Sequence, residues 1–509
     1  MTAVVRIDGQ RLTLADVRRV ALERAPVELA PEATGRLAGA RAVVDGIVAR
    51  HEPVYGVTTG FGKLSDVAIP QHRLAELQLA LVRSHAAGVG PLLPEREVRA
   101  MMLLRANVIA RGFGGARATL PELIVAMLNA GIHPRVPEQG SVGASGDLAP
   151  LSHLAIALVG EGEVEMGGQV MSAAAALARA GLTPVVLGPK EGITLINGTQ
   201  AHTGIAALSW GDARIAWQAA HVAGAASLEG LRGTPTAFDA RIHEARGQVG
   251  QVASAALLRE LLAESAIRES HRHGDARVQD AYALRCMPQV HGPVADLLRF
   301  TGDVIGRELN AATDNPLVFG DGTILSGGNF HGQSVAMALD FLAIGMTNLA
   351  TISERRIDRL VHPDLNEGLP PFLTADAGVN SGYMIAQVTA ASLASECKVL
   401  SHPASVDTIP TDGSKEDVVP MAMGAAWKLR RIIGNLQHIL AIELMCAAQA
   451  LDYRRPLTPG TGVRLAHERV RALVPTLGAD RVLAPDIAAL AGAVAAGQFT
   501  IGTTPEMLA

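Results

Sequence analysis

Gly140 to Ala155 reads GSVGASGDLAPLSHLA, a cluster of glycine and small polar residues followed by an apolar run. Its plainest reading is a turn into a helix, with Asp147 as N-cap and Pro150 in the first turn, where a missing N–H costs nothing. It is not a nucleophile elbow, because Gly143-Ala144-Ser145-Gly146 lacks the second glycine of GxSxG. Nor is it a phosphate loop, since no GK[ST] follows.

Around this segment lies a chain of 509 residues, 49 % apolar and 18 % charged, which excludes a disordered or fibrous protein and predicts extensive burial. Aromatic residues make up only 3 % and about one residue in six is Ala, so helices are favoured over sheets. Up to about residue 200 the chain is broken by turn signals such as Gly56, Gly60, Gly62, Gly88, Gly90, Pro91, Gly112, Gly114 and Gly115, between which only short helices fit. Beyond it, Val335, Leu339, Leu342, Met346 and Leu349 step by 4, 3, 4, 3 along one helical seam, and Leu429, Ile433, Leu436 and Leu440 do the same. The expected protein is mainly α: an N-terminal domain of short helices and loops over residues 1–200, bearing the Gly140–Ala155 segment, and a long-helix bundle over 201–509.

A net charge of −5 offers no electrostatic footprint for nucleic acid, which is not expected as a partner. The start, MTAVVRIDGQRLT, has no basic region followed by an apolar stretch, and the most apolar windows are interrupted by Asp340 and His153. No signal peptide, no membrane span and a cytoplasmic location are the expectation. Cys286, Cys397 and Cys446 are far apart and lack CxxC spacing, so they read as small buried hydrophobes, with neither a disulfide framework nor a metal site.

Polar residues concentrate in a few blocks: YGVTTGFG at Tyr55–Gly62, Ser84-His85, Gly140–Pro150, Asn197-Gly198-Thr199, Gln279–Gln289, Asn310–Pro316, Ser326–Gly332 and Thr408–Met421. Polar, glycine-bearing loops on a rigid helical frame are where chemistry is usually placed.

With these blocks in view, the chain resembles the family of histidine, phenylalanine and tyrosine ammonia-lyases over nearly its whole length. The resemblance implies the long-helix bundle of the fumarase/aspartase-like superfamily, although no GSSxMPxKxNP-type loop is present. It also implies that Ala144-Ser145-Gly146 cyclises autocatalytically into 4-methylidene-imidazol-5-one, with no metal or diffusible cofactor. The residue types suit that chemistry. Gly146 supplies an unhindered amide nitrogen to attack the Ala144 carbonyl, a small Ala removes obstruction, and Ser145 loses its hydroxyl as water to leave an exocyclic methylene. By the same resemblance Tyr55 is the base that removes a β-proton. A phenol with its ordinary pKa near 10 is a poor base at neutral pH, so nearby cations or hydrogen bonds are expected to lower it. Tyr282 is carried over as a further catalytic residue, and Asn197, Gln279, Arg285 and Phe330 as residues that hold or line the prosthetic group and substrate. The planar fork of Arg285 matches the substrate α-carboxylate in two parallel hydrogen bonds.

Two positions bear on the substrate. Ser84-His85 and Glu416 stand where histidine-selective members carry Ser-His and Glu, and an imidazole with two ring nitrogens needs such partners, whereas a phenyl pocket should hold no unpaired charge. The resemblance therefore implies non-oxidative deamination of L-histidine to trans-urocanate and ammonia, the first step of histidine breakdown, by a homotetramer whose active sites draw loops from several subunits. Met287, the Asp412-Gly413-Ser414 stretch, Val418 and Pro420 depart from the histidine-selective pattern. They keep open a phenylalanine or tyrosine ammonia-lyase, or an aminomutase that uses the same group.

Overall fold

A computed structural model describes residues 3–275 and 277–500 and is mostly helical, with strands limited to short ladders such as Val5–Ile7 beside Val27–Leu29. The chain divides into two compact units. The first comprises Met1–Ser209, Gly302–Leu339 and Pro403–Trp427; the second comprises Trp210–Thr301, Asp340–His402 and Lys428–Ala509. This differs from a single boundary near residue 200, because two later segments return to the first unit. Buried polar contacts tie the returning 302–339 segment to the early chain. Asn107 donates to the Leu309 carbonyl at 2.9 Å, and the buried Lys190 ammonium meets Asp314 at 2.9 Å.

The first unit is built around the Glu95–Ala110 helix, which is buried on all sides. Its Arg105 guanidinium reaches the backbone carbonyls of Thr194 at 3.1 Å and Asn197 at 2.8 Å, anchoring the Asn197-Gly198-Thr199 turn; burial lowers its pKa to about 10. Pro31–Arg50 is a helix of 20 residues, longer than the turn signals suggested. Pro31 opens it and a left-handed His51 closes it, while its internal glycines each cost only about 1 kcal/mol relative to Ala.

In the second unit, Arg356 and Glu443 form a fully buried ion pair at 2.5 Å, and the carboxylate also accepts from the Ser227 and Ser353 hydroxyls. Met287 is wholly buried, with its sulfur 2.4 Å from where a Cβ on Gly224 would stand. Cys397 and Cys446 are buried and Cys286 is half-buried. The seam residues named above lie in the helices Gln333–Val361 and Ala422–Tyr453, and all of them are buried. Both helices are long and apolar enough to cross a membrane by composition, but 61 % and 83 % of their apolar windows are buried within the protein, as in core helices. Asp340, which interrupts the first, is paired with Lys428 at 3.2 Å.

Glu229, near the end of the Gln200–Gly230 helix, accepts the Gly460 N–H at 2.8 Å. Burial pushes its carboxyl up from 4.5 to about 7, with the Ser265 and Gly460 hydrogen bonds opposing. A folded pKa above the unfolded one favours the protonated form in the fold, so stability falls as pH rises from 4.5 towards about 7 and is flat above. Glu229→Gln is expected to raise unfolding stability by up to roughly 3 kcal/mol on the alkaline side and by little at acid pH. Denaturant titrations at both pH values read this, and an equal gap at the two would count against it.

Candidate active site

The loop from Gly140 ends at Asp147, the N-cap of the Leu148–Leu158 helix, but the Asp147 carboxylate makes no capping bond. It turns instead to Ser141 and His202. Gly146 holds a φ of +74° and bridges Gly198, where a Cβ would lie 2.1 Å from the Gly198 carbonyl oxygen, so only glycine fits. The Asp147 N–H donates to that same carbonyl at 2.7 Å. From the neighbouring turn, Asn197 Nδ2 donates to the Ser145 carbonyl at 3.0 Å, while Asn197 Oδ1 is buried without a partner. The Ser145 hydroxyl donates to Glu416, whose other carboxylate oxygen accepts from the Thr411 hydroxyl.

Two cavities of about 860 and 650 Å³ meet at this point, both lined by Tyr55, Gly62, Ser145, Asp412 and Glu416. Ser84, His85 and Asn197 bound the larger one beside apolar Leu77, Leu81 and Ile193; Ala144 and Phe330 bound the smaller. His85 Nδ1 lies 2.9 Å from the Leu81 carbonyl, which can only accept, so a neutral ring turns Nε2 into the acceptor. Tyr55 Oη receives the Gly62 N–H at 3.4 Å.

The expected lowering of the Tyr55 pKa is not met within this unit. Burial pushes the phenol above its ordinary value, and the carboxylates of Asp412, Glu416 and Asp314 push the same way, against the single Gly62 N–H. The reason is burial of the phenol first and a surplus of negative groups second.

Comparison with known proteins places the chain in a family. An aromatic amino acid lyase family model matches residues 12–472. The chain belongs to the aromatic amino acid lyase family. Within this lyase family it is 52 % identical over 508 residues to a histidine ammonia-lyase of Koribacter versatilis (strain Ellin345), covering 97 % of this chain and 98 % of that one. The crystal structure of histidine ammonia-lyase from Trypanosoma cruzi superposes with a TM-score of 0.90 at 42 % identity, over 98 % of this chain and 94 % of that one. A tyrosine aminomutase from Streptomyces globisporus superposes with a TM-score of 0.93 at 40 % identity, over 98 % of each chain.

In this aromatic amino acid lyase, Tyr55, Ser84, His85, Ala144, Ser145, Asn197, Phe330 and Glu416 thus surround one region, with Gly146 beneath it. Gln279, Tyr282 and Arg285 belong to the second unit and are not among these lining residues. There, Tyr282 is 70 % exposed, with the Arg285 guanidinium 4.6 Å from its ring centre, and Arg285 Nε is buried without a hydrogen-bond partner among the described residues.

The departures from pattern sort by burial. Met287 is wholly buried in its own chain and does not line either of these two cavities. Pro420 is buried, 3.3 Å from a Cβ position on Gly143, whereas Val418 is exposed on the smaller cavity. Asp412 lines both cavities and accepts from the Lys63 N–H at 3.3 Å, a place that its unusual sequence context marked without assigning. His202 had no signal beyond its position in an apolar helix.

Proposed function

We propose that this carbon–nitrogen lyase deaminates L-histidine to trans-urocanate and ammonia at the cavity around Ser145. The observation that carries the reading is the Ser145–Glu416 contact in a cavity that also holds Ser84 and His85, a polar end suited to an imidazole beside the Ala144-Ser145-Gly146 triad. The histidine ammonia-lyases of K. versatilis and T. cruzi, alike over nearly the whole chain, support the same substrate.

The triad fits a 4-methylidene-imidazol-5-one group: the Cβ-free Gly146 against Gly198, the small Ala144, and the Asn197 amide on the Ser145 carbonyl meet what such a ring requires. When formed, it supplies an electrophilic methylene carbon that activates the substrate amine for departure. Tyr55 takes the β-proton at Oη, Asn197 Oδ1 is free to accept from the substrate ammonium, and His85, Ser84 and Glu416 hold the imidazole while Phe330 walls the cavity. Arg285 clamps the α-carboxylate, with Gln279 and Tyr282 beside it. The exposed Tyr282 and the unpartnered Arg285 Nε support their delivery to another copy's cavity in a cytoplasmic homotetramer with shared sites. No metal or diffusible cofactor enters this reading.

The test is a panel of L-histidine, L-phenylalanine and L-tyrosine with product identification. Urocanate from histidine is expected. Sole turnover of an aromatic substrate, or a β-amino acid as the product, would overturn the reading in favour of an aromatic lyase or an aminomutase.

The Tyr55 surroundings give a pH prediction. A phenol accepts a proton only as phenolate, and a raised pKa makes that form scarce at neutral pH. kcat/KM is therefore expected to climb by about tenfold per pH unit on the alkaline side. Tyr55→Phe should lower turnover by about 10²- to 10⁴-fold and remove that limb. The same alkaline limb in the variant would exclude Tyr55 as the base.

A further inference from the structure

One buried carboxylate grips the triad loop at both ends. Asp147 follows Gly146 directly, and its Oδ1 accepts from the Ser141 hydroxyl at 2.8 Å, so a side-chain bond closes residues 141–147 into a loop around Ala144-Ser145-Gly146. Ser141 Oγ in turn accepts the Gly143 N–H at 3.1 Å. Such a clamp restrains the segment that carries the triad, and bond formation between Gly146 and Ala144 requires the two to be held close. An ionised carboxylate with no access to water needs a counter-charge, however, or it neutralises and its grip weakens. The counter-charge here is His202. Both side chains are wholly buried. His202 Nδ1 lies 2.9 Å from Asp147 Oδ1, and the His202 backbone N–H donates to Oδ2 at 2.8 Å. Burial disfavours charge on both groups, but the contact with Asp147 raises the imidazole and His202 lowers the carboxyl. Among the described residues His202 Nε2 has no hydrogen-bond partner, and its ring leaves so little room that a Cβ on Gly332 would stand 2.9 Å from that atom. Gly332 in turn donates its N–H to the Gly143 carbonyl at 3.0 Å, so the imidazole lies between Asp147 and a residue bonded to the other arm of the loop.

We propose that His202 is a positioning residue for formation of the prosthetic ring, acting by holding the Asp147 carboxylate that closes the loop around the triad. The proposal rests on the ring assigned to Ala144-Ser145-Gly146 above. In that step the Gly146 nitrogen bonds to the Ala144 carbonyl carbon, and the Ala144 oxygen leaves as water with the amide protons of Ser145 and Gly146. The Ser145 hydroxyl then leaves as a second water with the Ser145 Cα proton. His202 touches none of these atoms, so its removal should slow ring formation without changing the chemistry of chains that have matured.

Intact mass, followed with time after refolding of the full chain, reports the fraction of chains lacking two waters. In His202→Ala that fraction is expected to rise at least about tenfold more slowly than in the parent, the scale of one lost charge-assisted hydrogen bond. In His202→Gln, which keeps one donor towards Asp147 without the charge, the rate should fall between the two. Chains that do mature should turn over histidine at the parental kcat. A purely structural role predicts a lower melting temperature with a complete two-water deficit in every folded chain, and that result would overturn the proposal. If His202→Ala yields no folded protein, His202→Gln decides alone: maturation at the parental rate refutes the role. A full mass in the parent itself would instead dismiss the ring, which separates the two failures.

Discussion

Replacing Ser145 with Ala is expected to reduce histidine turnover by at least about 10³-fold, because the group that makes the site electrophilic is lost at its source. Alanine has no hydroxyl to expel, so no methylene can form, and the mass deficit can reach one water but not two. The fold should tolerate the change. Ser145 is half-buried, its carbonyl bond from Asn197 is a backbone contact that any residue retains, and the hydroxyl bond to Glu416 is the one interaction removed. Ser145→Cys can still expel its sulfur group and should keep part of the activity. Urocanate absorbance and intact mass, measured together on parent and both variants, check this. An active Ser145→Ala protein would remove the triad from the mechanism altogether.

Glu416→Gln carries the second large effect. Glu416 sits with one carboxylate oxygen on Ser145 and the other on Thr411, and its backbone accepts the Thr411 N–H at 2.9 Å, so the side chain is aimed before any ligand arrives. A carboxylate so placed can bond an imidazole N–H and would be an unpaired charge against a phenyl ring. The neutral amide keeps the shape and loses the charge. We expect kcat/KM for histidine to fall by about 10²-fold, while any turnover of phenylalanine rises relative to it, since a site built to bond a polar ring discriminates through those bonds. The two-water deficit should persist, which separates substrate binding from ring formation. Unchanged histidine kinetics would show that Glu416 does not read the substrate ring.

Much of this was legible in the sequence, for reasons that differ by residue. The seam from Val335 to Leu349 and the one from Leu429 to Leu440 announced buried helices because side-chain period is a local property of the chain. The chemistry proposed for Ala144-Ser145-Gly146 was legible because the family resemblance falls on three consecutive residues. Asp147 misled in part. Its position before a helix fits an N-cap, yet its carboxylate is claimed by His202, 55 residues away, and a capping preference worth about 1 kcal/mol gives way to a buried ion pair. Met287 departs from the pattern in sequence, and only the structure shows that it is wholly buried.

The sequence by itself determined the helical class, the backbone atoms of the triad and the polar residue types offered to a substrate, all of which follow from local propensity and covalent order. The tertiary structure alone decided which of these groups meet. It brings Glu416 onto Ser145 across 271 positions, returns residues 302–339 and 403–427 to the first unit, and places carboxylates near Tyr55 that outweigh its one hydrogen bond from Gly62. The physical reason is range: propensity acts over a few residues, whereas charge, desolvation and hydrogen bonding act over a few ångströms of space, whatever the distance along the chain.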